Sequence, residues 1–260
     1  MKIKELMPRE HGAWAMWIVP MLSAPLVAHF SASFFILFIC FALLYIVHHP
    51  IVTIAKRNWK WQEGEKRSVA FIAVPAILLG AGLLVYYDLP WLILFGIMEF
   101  GLFLFSVRTY LTREQRTFFN ELAIVAALTL SSPAAYYSIT HMLDAKAIAL
   151  YLLNFLFFGS SVFYVKMRIE FLRTKGVWAG SAAEARNMAV IYHILLTAAV
   201  ILAVIRYHPD ILLFAGFVPM LAQVAAGLFS KRTRVNFTRL GVALVAQSAV
   251  FLLAVGFFLR

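Results

Sequence analysis

Charge is what this sequence has least of. Only 13% of its 260 residues are Asp, Glu, Lys or Arg, against 63% hydrophobic. A soluble domain sits nearer a quarter charged and half apolar, so that class is excluded. Cysteine is scarcer still. The single Cys40 rules out an internal disulfide and leaves no thiol pair for zinc. No glycine-rich phosphate loop and no Gly-x-Ser-x-Gly elbow occurs, which removes the usual soluble-enzyme signatures. Aspartate is limited to Asp88, Asp144 and Asp210.

Long hydrophobic runs take the place of these features, at a mean hydropathy of +0.86. A bilayer core needs about 20 apolar helical residues. Nine segments qualify, at 12–29, 32–55, 69–87, 89–107, 119–139, 147–169, 187–205, 211–229 and 240–258. The expected fold is all-α: one polytopic domain over 1–260. "HFSAS" (29–33), "YYDLP" (86–90) and "RYHPD" (206–210) read as turns, and Pro75, Pro133 and Pro219 as helix-interior prolines that a bundle can accommodate. Lys2, Lys4 and Arg9 precede the first segment, but no small-residue cleavage site follows, so it reads as a retained helix.

The Lys and Arg distribution predicts orientation. With an inside N-terminus, cytoplasmic stretches hold 20 of the 23 basic residues, and the outer side holds only Lys146, Arg206 and Arg260. The C-terminus is then outside. The net charge of +11 follows from this rule and needs no nucleic acid. All three aspartates fall on the outer side, so the inner face combines Lys, Arg, His and Glu without Asp.

Several polar residues are misplaced for plain membrane helices. "PREHGAWAMWIVP" pushes Arg9, Glu10 and His11 against an apolar, Trp-containing run. The second segment ends "VHHPIVTIAKRNWK", where His49, Thr53, Lys56 and Lys60 are spaced to share a helical face. The sixth ends "NFLFFGSSVFYVKMRIEFLRTKG". There Asn154, Ser161, Arg168 and Lys175 recur every seven residues, Lys166 and Glu170 are spaced to pair, and Gly176 is placed to cap the helix. Glu99 lies inside the fourth segment, where a carboxylate costs on the order of 2.5 kcal/mol or more. Glu10, His11, His48 and His49 have metal-ligand chemistry, but their spacing is not diagnostic.

At "PREHGAW", "HHP" and "FYVKMRIEFLRTKG" the sequence resembles the YwiC-like family of bacterial membrane proteins over nearly its whole length. The layout is more distantly similar to the UbiA superfamily of intramembrane prenyltransferases. That resemblance implies nine helices, an inside N-terminus, and a site at the cytoplasmic ends of the second and sixth helices. UbiA-type enzymes hold a prenyl diphosphate through Mg²⁺ on two aspartate-rich motifs. This chain has His48, His49, Lys56 and Arg57 at the first and Lys166, Arg168 and Glu170 at the second. Mg²⁺ in the usual Asp-bound form is therefore not expected, because Lys and Arg hold phosphate directly.

The resulting expectation is a binder or prenyltransferase-like transferase in the bacterial cytoplasmic membrane, acting on a membrane lipid or isoprenoid-like substrate with an anionic headgroup. Arg9, His11, Lys56, Arg57, Arg108, Lys166 and Arg168 would contact the headgroup. His48, His49, Glu10 and Glu99 would move protons. The alternatives are a proton-coupled transporter, and a non-catalytic haem- or quinone-binding protein. Few ionisable groups lie in the outer helix halves, which disfavours the first. His48 and His49 lie about 100° apart on one helix, which disfavours joint ligation of one iron.

Overall fold

The structure is a computed structural model that describes residues 11–112, 117–207, 210–230 and 237–259. No strand occurs among them. The helices are α1 (His11–Val27), α2 (Ala32–Lys56), α3 (Glu65–Val85), α4 (Leu92–Thr112), α5 (Phe118–Thr129), α6 (Ser131–Thr140), α7 (Ala145–Arg173), α8 (Ser181–Tyr207), a 3-10 helix over Ile211–Phe217, α9 (Val218–Phe229) and α10 (Phe237–Phe258). Eight spans among the described residues are long and apolar enough to cross a membrane, counting Phe118–Thr140 and Ile211–Phe229 as one each, and the shorter apolar helix Trp14–Val27 precedes them. The protein is a multi-pass membrane protein, and every expected segment is matched by a helix.

The differences lie at ends and breaks. The third and seventh segments begin earlier than hydropathy suggests, at Glu65 and Ser181, because their first turns are polar yet helical. The fifth is interrupted at Leu130. Pro133 has no N–H for the Thr129 carbonyl, and the Ser132 hydroxyl donates to that carbonyl instead at 3.0 Å. Pro219 is not interior to an α-helix. It stands in the first turn of α9, after the 3-10 helix, where the missing N–H deprives the helix of nothing.

Packing divides the chain into two compact units, 1–151 and 152–260. In the first unit α1 packs on α5 and α6, and α2 packs on α3, α4 and α6. Small buried residues (Ser23, Ser131, Ser132, Ala134, Ala135 and Ser138) let backbones approach, as membrane helix interfaces require. Hydroxyls then bond across: Ser131 donates to the Trp17 carbonyl at 3.3 Å, and Ser33 to the Ser138 carbonyl at 2.6 Å. Trp17 sits against Phe38, Phe41 and Tyr45 of α2. In the second unit, Phe157 of α7, Phe217 of the 3-10 helix and Phe251 of α10 form an aromatic core, with Phe157 stacked on Phe251 at 4.2 Å.

Connections alternate in chemistry. Residues 57–64 are basic and 86–91 carry Asp88; 141–144 carry Asp144, and Lys175 lies beyond α7 before Asp210 follows α8. Reporter fusions at residues 62 and 143 are expected to read cytoplasm and exterior respectively. Both on one side would overturn the predicted orientation.

Candidate functional site

The inner end of α2 is shaped by a left-handed stop. Asn58 and Trp59 have φ of 55° and 60°, and their amides bond back to the Ala55 and Ile54 carbonyls, which is the Schellman pattern. Because the helix ends at Lys56, Lys60 lies beyond this turn and does not share the face of His49, Thr53 and Lys56. The turn brings Arg57 back onto Glu65, the first residue of α3, as an ion pair. Glu65 also accepts the Gln62 amide at 2.7 Å. Arg57, expected to hold a headgroup, thus serves an internal clasp.

His48 and His49 are half-buried and Lys56 and Arg108 exposed. The His48 ring meets the Phe103 ring of α4 edge-on at 5.3 Å. The His49 carbonyl accepts the Thr53 hydroxyl at 3.0 Å. Glu99 is half-buried on α4. Arg9 and Glu10 lie outside the described residues, as does the side chain of His11 at the start of α1. The shared pocket expected for "PREHG" falls there too. Among the described residues, no group of three His, Cys, Asp or Glu is placed to hold a metal ion.

In the second unit the expected seam on α7 is buried at Asn154, Ser161 and Arg168 and emerges at Lys175. Arg168 is only 3% exposed. Its guanidinium donates to the carbonyls of Gly227 and Ser230, at 3.4 and 3.3 Å, and lies over the Phe171 ring. Those carbonyls end α9, where a cation is favourable. Lys166 is half-buried. Glu170 accepts from Arg173 at 2.9 Å and from the Ser181 hydroxyl at 2.7 Å, and the Lys166 ammonium lies within electrostatic reach of the same carboxylate. The end of α7 is again a Schellman stop. Lys175 is the first left-handed residue (φ 55°), followed by Gly176 (φ 87°), and their amides reach the Leu172 and Phe171 carbonyls. The cap is therefore shared by Lys175 and Gly176.

One polar pair has no signal in the sequence. Ser160 of α7 and His193 of α8 are 33 residues apart, and Ser160 Oγ lies 2.6 Å from His193 Nε2. His193 Nδ1 lies 2.6 Å from the Ala189 carbonyl. That oxygen can only accept, so Nδ1 carries the proton and Nε2 accepts from Ser160. Both residues are buried, and the pair acts as interhelical bonding.

A family model described as YwiC-like protein matches residues 7–136, half of the chain. The uncharacterized protein YwiC of Bacillus subtilis (strain 168) is 27% identical over 173 residues, covering 65% of this chain and 69% of its own. An uncharacterized protein of Haemophilus influenzae is 25% identical over 252 residues, 96% of each chain. No solved structure matches.

Proposed function

The chain belongs to the YwiC-like family of membrane proteins, and we propose that it binds a lipid with an anionic headgroup at the helix ends that carry its Lys and Arg. The reading is that of a UbiA-like binder or transferase without the Asp–Mg²⁺ site. The observation that carries it is the alternation of basic and Asp-bearing connections along successive spanning helices, which concentrates cations and excludes aspartate at one set of ends. Lys56 and Arg108 are exposed residues and are the groups that would meet the headgroup. His48 and His49, one to two turns deeper, are the proton-transfer groups beside it. Arg57 supports this region indirectly, through the Glu65 clasp.

Binding of dioleoyl phosphatidate in otherwise zwitterionic nanodiscs tests the proposal. Binding is expected to survive EDTA, because Lys and Arg contact phosphate without a metal. Lys56→Ala is expected to weaken it by about 1.5–3 kcal/mol, the contribution of one charged hydrogen bond. Binding abolished by chelation would show that a metal holds the headgroup, and equal binding by wild type and Lys56→Ala would remove Lys56 from the site.

A further inference from the structure

Glu99, Phe103 and Val107 follow one another at four-residue steps and so share a face of α4. That face meets α2. Phe103 stands against His48, and Val107 packs with Val52 and Ala55 in a cluster that Phe103 joins. The matched offsets set α2 and α4 side by side in the same direction. They place Glu99 one helical turn, about 6 Å, from the level of the His48–Phe103 contact, toward the N-terminal ends of both helices.

Glu99 Oε1 is buried there and has no hydrogen-bond partner. Tyr151 lies within electrostatic reach of the same carboxyl. The neighbouring Ile97, Met98 and Phe100 are exposed, so a lipid-facing apolar ribbon borders the orphaned oxygen. An unsatisfied polar atom at such a position is unfavourable unless something completes it.

We propose that Glu99 is a binding site for the hydroxyl group of an alcohol dissolved in the membrane. A carboxyl group held in hydrocarbon presents either an acceptor oxygen or an O–H donor at Oε1. A hydroxyl both donates and accepts, so it completes either arrangement without bringing charge into the bilayer. A ligand carbonyl only accepts, and an ammonium brings a charge whose desolvation is unfavourable. The apolar ribbon of α4 supplies the surface for the alkyl chain. This site is independent of the anionic-headgroup reading, which concerns the helix ends.

The test uses the full-length protein in nanodiscs and dicyclohexylcarbodiimide, a lipid-soluble reagent that adds to carboxylic acids. The adduct is located by peptide mass spectrometry. Wild type is expected to carry it on Glu99, and the Glu99→Gln protein, with an unchanged melting temperature, to lack it on that peptide. Hexadecanol is expected to slow labelling about fivefold, the effect of one neutral hydrogen bond, whereas hexadecane, which neither donates nor accepts, leaves the rate unchanged. Absence of an adduct on Glu99, no protection by hexadecanol, or equal protection by hexadecane would each overturn the proposal. Phosphatidate binding by the wild-type protein is expected to be unchanged by hexadecanol, so failure here is distinguishable from failure of the headgroup reading.

Discussion

Arg57→Ala is expected to destabilise the protein by about 2 kcal/mol, read as a lowered melting temperature in detergent. The Glu65 side chain is 5% exposed, and two donors satisfy its carboxylate, the Gln62 amide and the Arg57 guanidinium. Removing Arg57 leaves a largely buried charge with one donor instead of two, and a hydrogen bond to a charged group contributes about 1.5–3 kcal/mol. Arg57 also reaches back from Nε to the Thr53 carbonyl at 3.5 Å. Lysine has no second nitrogen for that contact, so Arg57→Lys is expected to restore stability only in part. Lys56→Ala, one residue away on an exposed end, is expected to change stability by less than about 0.5 kcal/mol. The two adjacent cations thus separate by measurement: one governs stability and the other lipid binding. An Arg57→Ala protein as stable as wild type would show that the clasp contributes nothing.

Gly216→Ala is expected to destabilise by about 1–3 kcal/mol, the range for an overpacked core. A Cβ at this position would stand 3.0 Å from the Phe251 Cα and 3.0 Å from the Ala254 Cβ. The first of these is backbone, so α10 itself must move, and the Phe157–Phe217–Phe251 core moves with it. Gly82→Ala and Gly96→Ala serve as controls. Neither added Cβ meets any atom within 4 Å, and both glycines are inside helices, so alanine is expected to be neutral or stabilising by about 0.5–1 kcal/mol. Thermal unfolding of the three variants checks the opposite signs. A neutral Gly216→Ala would show that the 3-10 helix and α10 do not pack as described.

How much was legible beforehand depends on which residues are considered. The nine segments could be read because roughly 20 apolar residues between polar or proline-bearing turns have few other stable forms. Local chemistry also announced one cap: Gly176 in "LRTKG" stands in the left-handed stop that ends α7. The break at Leu130 was half-visible in Pro133, but the Ser132 bond that accommodates it depends on a rotamer. Lys60 leaves the face that helical periodicity predicts for it, because the stop at Asn58 and Trp59 is set by backbone angles.

Hydropathy and turn signals act over neighbouring residues, so the family, the helical class, the spanning segments and the residues available for chemistry are readable along the chain. Which polar groups find partners inside the protein emerges only from the packing of the helices. Arg57 and Arg168 stand at basic helix ends where the UbiA-like layout implies headgroup ligands, yet one clasps Glu65 and the other closes the end of α9. Ser160 and His193 carried no local mark at all. Glu99 was suspect from its place in an apolar run, but whether its oxygen found a partner depended on what α2 and α7 bring beside it. The reason is physical: burial is set by short-range packing along the chain, whereas hydrogen-bond satisfaction is set by atoms that are distant in sequence and meet only when the helices pack.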